Sequence, residues 1–313
     1  MSSPPAQGKR LHWEDLPTNV RHALESKLGA SVSAAITQPA GFSPGLASRL
    51  VLADGRRVFL KAVHESGNPD TPGIHRREAR IVAALPASAP VPRLLWSHDE
   101  DGWVALCFED VDGRHPNEPW TEHDLAVVVP ALTRMSAGLT PSPIDTGETA
   151  AGALSRHING WQVALASRDE RFDPWVRKNL ERLAQLEARA PEAADGDTLL
   201  HFDIRADNIL ISADRVYVVD WPWARSGAAW VDWVAFAPSV AMQGGPDPES
   251  LLRRFDVGGV APEAIDAVLC SLAGYFMVEA LALAPPGLPT LRAFQAAQGR
   301  QAIAWLRERT GWD

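Results

Sequence analysis

The stretch from His201 to Asp220 constrains this chain more than any other. It begins His201-Phe-Asp203-Ile-Arg205-Ala-Asp-Asn208, passes through Ile209-Leu-Ile, a Ser-Ala-Asp turn and Val216-Tyr-Val-Val219, and ends at Asp220-Trp-Pro. The two β-rich runs read as a tight hairpin. Such a hairpin returns Asp220 to the neighbourhood of Asn208, so groups from positions 203, 208 and 220 converge. An aspartate two residues after a histidine and five before an asparagine, with a second aspartate beyond a hairpin, is the spacing of a phosphoryl-transfer loop.

The chemistry explains the spacing. Phosphoryl transfer needs positioning and charge compensation, because negative charge spreads over the oxygens of the transferred group. Asn208 and Asp220 offer hard oxygen ligands that suit Mg²⁺, whose remaining oxygens come from water and nucleotide phosphates. Asp203 is left to orient and deprotonate an acceptor hydroxyl. Arg205, two residues on, could reach the transferred group and offset its charge. Each polar residue could instead cap a turn, but the whole arrangement with its hairpin argues for chemistry.

Further parts appear upstream in order. Ile36 to Leu52 reads as strand, turn, strand, with Gly41, Ser43 and Gly45 in the turn. That turn could lay backbone N–H groups and the Ser43 hydroxyl over phosphates, or simply close a hairpin. After Asp54-Gly55, the run Val58-Phe-Leu-Lys61-Ala-Val63 sets a lysine in an apolar strand, where an unpaired ammonium would be costly. Glu78, seventeen residues on in a helical stretch from Ile74 to Leu85, is the expected partner; it could also be one more charge beside Arg76, Arg77 and Arg80. Trp103 to Phe108 is an apolar strand leading into Glu109-Asp-Val111-Asp-Gly113. As a connector between lobes it would offer adenine the Glu109 carbonyl and the Val111 N–H, with Phe108 behind the base.

Taken together, Gly41 to Gly45, Lys61, Glu78, the Phe108 to Gly113 connector, His201-x-Asp203-x4-Asn208 and Asp220 resemble the aminoglycoside phosphotransferase and choline kinase group of the protein-kinase-like fold. The resemblance covers nearly the whole chain. It implies an α+β, two-lobed architecture, with a small antiparallel-sheet N-lobe carrying a helix (1–111) and a larger, mainly helical C-lobe (112–313). It also implies ATP, with GTP possible, and Mg²⁺. Asp203 would be the base, Asn208 and Asp220 the metal ligands, Lys61 and Glu78 the phosphate-positioning pair, and His201 and Asp232 the support of the catalytic loop.

Departures matter too. The nucleotide loop lacks a full G-x-G-x-x-G, and the glycine that follows the histidine in the family is Phe202 here. Trp221-Pro222-Trp223 follows Asp220, and eleven residues separate Asp220 from Asp232. That is too short for a protein kinase's activation segment, which favours a small-molecule acceptor over a protein. The expected activity is ATP-dependent phosphorylation of a small-molecule hydroxyl, on an aminoglycoside or other antibiotic. The alternatives are a metabolic kinase of an amino alcohol or sugar, and a nucleotide-binding regulatory module without chemistry; the intact set of Lys61, Asp203, Asn208 and Asp220 disfavours the latter.

Charge bears on the acceptor. Residues 1–111 hold 12 acidic and 12 basic side chains and residues 112–313 hold 27 and 18, so the whole formal charge of −9 falls in the second part. An anionic lobe favours a neutral or cationic acceptor and disfavours nucleic acid, though acidic surfaces also serve solubility. Two cysteines, Cys107 and Cys270, form no disulfide or zinc pattern, and no 18-residue apolar run appears, so a cytoplasmic protein without a membrane segment is expected, as monomer or homodimer. Residues 1–10 read as a loose tail. Helical spacing is visible over Glu122 to Leu139 with Thr121 as N-cap, Pro174 to Arg189, Pro262 to Leu283 and Thr290 to Arg309. Trp221 and Trp223 could stack on the acceptor or anchor the core; Trp230 and Trp233 read as core.

Overall fold

The structure is a computed structural model that describes residues 4–167 and 169–313. The N-terminal part contains strands β1 (Arg10–Leu11), β2 (Val32–Thr37), β3 (Gly45–Leu52), β4 (Arg57–His64), β5 (Leu94–Glu100) and β6 (Trp103–Glu109), with helices α1 (Thr18–Leu28) and α2 (Thr71–Ala84). They form one sheet in which β3, β4, β6 and β5 follow one another antiparallel; β2 and the parallel β1 both pair with β3. The register sets Lys61 opposite Ala47 and Leu106, and Phe59 opposite Phe108.

Strand side chains alternate between faces, and this alternation aims the lysine. Leu60 and Ala62 of β4, with Ala105 and Cys107 of β6, share a small core with Trp13, Leu16, Val20, Leu24 and Leu28 on and just before α1. Lys61 therefore faces the other side, with Leu106 and Phe108, which belong to the main core of the molecule.

The C-terminal part comprises β7 (Gly113–Arg114), α3 (Glu122–Gly138), α4 (Ala150–Arg156), α5 (Gly160–Ser167), α6 (Pro174–Glu187), α7 (Ala190–Ala193), β8 (Thr198–Leu200), β9 (Ile209–Ser212), β10 (Val216–Val218), β11 (Arg225–Gly227), α8 (Trp230–Met242), α9 (Pro248–Leu252), α10 (Pro262–Glu279) and α11 (Leu291–Thr310). The architecture is the α+β, two-lobed, protein-kinase-like fold implied by the resemblance. Helix starts follow local chemistry: Thr121 accepts the Asp124 N–H to cap α3, and Asp173 accepts from Trp175 and Val176 to cap α6, with Pro174 in the first turn. Helix α10 runs through the core. The Trp161 indole donates to the Cys270 carbonyl at 2.8 Å, and a Cβ on Gly160 would lie 2.1 Å from the Gly274 carbonyl oxygen, so α5 meets α10 backbone to backbone. Cys107 and Cys270 are buried free thiols. Among the described residues no helix is long and apolar enough to cross a membrane.

Two expectations need correction, and one helix carries no sequence signal. Residues 6–10 are not a loose tail. Gly8 N–H donates to Gly41 O (2.8 Å), Gly41 N–H to Ala6 O (2.8 Å), Gly45 N–H to Lys9 O (3.1 Å) and Lys9 N–H to Gly287 O (2.7 Å), so the segment lies between the 41–45 loop and a loop of the C-lobe. The open main-chain groups along that loop take the N-terminal segment as a partner. Helix α8 was hidden because it is apolar nearly all round and has no polar face to give it a period. Helix α10 ends at Glu279, one turn before the expected Leu283, where the chain turns toward Pro285 and Pro286.

Candidate active site

Lys61 on β4 and Glu78 on α2 meet as one ion pair. The Lys61 ammonium donates to both Glu78 carboxylate oxygens at 2.8 and 3.0 Å and to Asp220 at 2.9 Å. Burial acts to lower the lysine's pKa, but Asp220 and Glu78 more than reverse this and hold it above its ordinary value. Burial likewise acts to raise Asp220, yet the Lys61 ammonium holds it down at about 2. One cation faces two carboxylates here, a surplus of one negative charge.

The loop that carries Asp203 leaves β8 at His201. The ring of His201 is buried, and burial pushes its pKa down to about 4, so it is neutral. Its Nδ1 accepts the Asp203 N–H at 3.2 Å, which leaves the proton on Nε2 to donate to the Val219 carbonyl at 3.0 Å. One imidazole therefore ties the loop to the far end of the hairpin. The β9–β10 register pairs Val216 with Ile211 and Val218 with Ile209, and the Val219 N–H reaches the Asn208 carbonyl at 2.9 Å. Asp220, at φ +70°, is thereby returned beside Asn208. The Asn208 amide donates to the Asp203 carbonyl at 2.8 Å. Asp232, in the first turn of α8, accepts the N–H groups of His201 and Phe202 at 2.9 Å each.

Burial raises Asp203 to about 7, against the opposing pull of Arg205, which suits a group that takes a proton near neutrality. Its side chain is 26% exposed, enough to be reached by an acceptor. Arg205 requires a correction. Instead of standing free for a phosphoryl group, its guanidinium grips Asp207 through two 3.0 Å bonds, donates to Asp203, and lies 5.5 Å from the Phe42 ring centroid and 5.6 Å from that of Phe294. It holds the Asp203 carboxylate. Arg205, Asp203 and Asp207 form a second ion-paired cluster.

Between these clusters and the sheet lies a cleft. Phe59, Val82, Val91, Phe108 and Leu210 supply its apolar wall, and Asp207, Asn208 and Asp220 its polar floor. Glu109 and Val111 line the edge. The Glu109 side chain turns away to accept the Arg93 N–H at 3.1 Å, so only its backbone faces the cleft. The Val111 carbonyl accepts from Gly113, while its N–H has no partner among the described residues. Ser43 lines the cleft with a buried hydroxyl oxygen that has no hydrogen-bond partner among the described residues. An apolar slot ending in an unsatisfied hydroxyl and hard oxygens fits a nucleotide with a divalent cation.

The glycines behave differently from expectation. The N–H groups of Gly41 and Gly45 are occupied by Ala6 and Lys9 and are not offered to phosphates. A Cβ on Gly45 would lie 2.5 Å from the Ala62 carbonyl oxygen, so that glycine serves the close packing of β3 on β4. Trp221 also needs correction as an acceptor contact: it is fully buried, donates its indole N–H to Val218 O at 2.9 Å and meets His201 edge-on at 4.8 Å. Trp223 is 39% exposed and stays available. Trp233 is core, stacked on Phe255 at 4.3 Å, and Trp230 packs half-buried against that core.

Sequence reasoning missed Arg10, which lines the cleft, and Asp207. Asp207 sits inside the motif beside Asn208 and could have been found; a lone arginine in a polar N-terminal segment carries no such signal.

Solved structures share the fold. An aminoglycoside phosphotransferase in ternary complex with AMP-PNP and hygromycin B is 16% identical, with TM-score 0.63 over 95% of this chain and all of that one. A choline/ethanolamine kinase family protein from Mesorhizobium loti is 17% identical, with TM-score 0.56 over 93% and 94%. Among curated proteins, a thiamine kinase of Salmonella paratyphi A is 29% identical over 217 residues, 63% of this chain and 66% of the relative. The chain thus spans just under two thirds of the length of that relative. Residues 41–268, from the loop before β3 through Asp220 into α10, match the phosphotransferase enzyme family known as APH, and the chain belongs to that family.

Proposed function

We propose that this protein is an ATP-dependent O-phosphotransferase that moves a γ-phosphoryl group to a hydroxyl of a small, neutral or cationic molecule. The carrying observation is that Asp203 stands beside Asn208 and Asp220, with the Lys61–Glu78 pair bonded to that same Asp220. Asn208 and Asp220 would hold Mg²⁺, which when bound offsets charge on the nucleotide phosphates. Lys61 orients the phosphates, the Val111 N–H and the apolar wall seat the base, and Asp203 orients the acceptor hydroxyl and takes its proton. Arg205 keeps Asp203 in place.

We assign to the acceptor side Tyr275, which lies in electrostatic reach of Asp203, Glu279, whose carboxylate is paired with Arg292, and the exposed Trp223. Tyr275 is raised to about 12 by burial and then by Glu279 and Asp203, which places its hydroxyl in the field of both carboxylates. Aromatic faces beside carboxylates favour a cationic acceptor. The thiamine kinase relatives support a cationic alcohol of that kind; the aminoglycoside phosphotransferases support the fold and make an antibiotic the second reading.

The test is nucleoside-diphosphate release with Mg²⁺ and ATP or GTP across thiamine, choline, ethanolamine, aminoglycosides and sugars, with Asp203→Asn as blank. Acceptor-stimulated release that falls at least about a hundredfold in the variant is the expected result. Equal turnover by the variant would overturn the assignment of Asp203, and nucleotide binding without turnover on any acceptor would favour a regulatory module.

A further inference from the structure

Arg10 lies at the phosphate end of the cleft although it comes from the N-terminal segment, outside the family match. Its guanidinium gathers four carbonyls of the nucleotide loop: Gln38 at 3.1 Å, Gly41 at 3.3 Å, and those of Ala40 and Ser43. The segment is held in place to do this, since β1 pairs Arg10 with Gly45 and Leu11 with Leu46 in parallel register. Gly41 leaves the room: at φ +95°, a Cβ there would lie 2.9 Å from Arg10 Nη2.

The electrostatic consequence is specific. Four carbonyl oxygens beside a phosphate site would repel the anion, and the guanidinium neutralises them. With those oxygens turned onto Arg10, the N–H groups of Phe42 and Ser43 and the buried Ser43 hydroxyl have no partner among the described residues. Backbone N–H groups and a hydroxyl are the donors that cradle phosphate. The loop lacks a full glycine pattern, and an arginine from outside it performs the shaping that glycines would otherwise allow.

We infer that Arg10 is a positioning residue for the nucleotide phosphates, acting by folding the 38–45 loop around its guanidinium so that Ser43 and the adjacent N–H groups face the phosphate end of the cleft. The inference rests on the nucleotide reading of the cleft and is separable from turnover, because binding is measured directly.

The experiment is calorimetric titration of the full chain with ADP and, separately, adenosine, in wild type, Arg10→Ala, Arg10→Lys and Gly41→Ala. The expected result is that all three variants bind ADP at least about tenfold more weakly, about 1.4 kcal/mol, with adenosine affinity unchanged. Guanidinium chloride at tens of millimolar should restore ADP binding to Arg10→Ala, whereas sodium chloride at equal ionic strength should not. Equal losses for adenosine and ADP would reduce Arg10 to a general fold role, and full retention by Arg10→Lys would show that charge alone suffices; either overturns the inference. A wild-type chain that binds neither ligand would overturn it together with the proposed function, whereas ADP binding without phosphoryl transfer would sink only the latter.

Discussion

Asp232 Oδ1 accepts the backbone N–H of Phe202 at 2.9 Å, and Phe202 itself stands at φ +66°. A phenylalanine thus occupies left-handed backbone, where a side chain costs roughly 1–2 kcal/mol. Asp232 holds the bend from one side, and the Arg225 guanidinium, 4.4 Å from the Phe202 ring centroid, holds it from the other. The next residue is Asp203, the proposed base.

Removing the grip should misplace the base. Asp232→Ala leaves the buried His201 N–H and the part-buried Phe202 N–H without acceptors and should cost about 2–5 kcal/mol in urea denaturation. It should lower kcat by more than it raises KM, since a shifted Asp203 loses geometry and the nucleotide wall is untouched. A kcat within twofold of wild type would refute this role for Asp232.

Substitution at Phe202 should invert the usual ranking of alanine over glycine. Phe202→Ala keeps the Cβ at positive φ and loses the ring contact, whereas Phe202→Gly relieves the backbone. The glycine variant should be the more stable of the two by about 1 kcal/mol. Equal or reversed midpoints in denaturant would show that the bend carries no strain.

Lys61 should matter to stability before any nucleotide is added. Lys61→Met strands the buried Glu78 and part-exposed Asp220 carboxylates and should cost about 3–5 kcal/mol in the nucleotide-free protein. Adding Glu78→Gln should recover part of that loss. Strict additivity of the two substitutions would rule out their coupling.

A pH effect should arise far from the cleft. Glu187 is buried and accepts the N–H groups of Trp161 (3.1 Å) and Gln162 (2.9 Å) at the start of α5; burial, outweighing those bonds, raises it from 4.5 to about 7. The folded state therefore keeps a proton there that the unfolded chain gives up above 4.5. Stability should fall as pH rises from about 4.5 to about 7, by on the order of 3 kcal/mol, and then level off. Thermal melts of wild type and Glu187→Gln across that window should show a shallower decline in the variant. Parallel curves would exclude Glu187 as the source.

The neighbouring tryptophans should separate by function. Trp221→Ala should cost about 3–5 kcal/mol in stability, because a fully buried ring and its hydrogen bond are lost. Trp223→Ala should leave stability within about 1 kcal/mol and raise the acceptor KM without moving the ATP KM. An unchanged acceptor KM would remove Trp223 from the acceptor site.

The features legible along the chain were those with short-range causes. The β9–β10 hairpin follows from two β-rich runs around a polar turn, and it alone returns Asp220 to Asn208. The lysine of β4 was legible because an apolar strand cannot hide an ammonium without a partner, and the caps at Thr121 and Asp173 because their side chains bond their own helices. Tertiary structure alone decided where long-range partners take groups out of play. The amides of Gly41 and Gly45 looked free for phosphate until Ala6 and Lys9, more than thirty residues earlier, claimed them. Trp221 and Trp223, two residues apart in sequence, were divided only by which of them the core swallowed; Arg205 differs, since the carboxylates it closes on, Asp203 and Asp207, stand two residues to either side of it. Periodicity and spacing report what a segment offers. Burial and hydrogen-bond competition among distant segments decide what remains to meet a ligand.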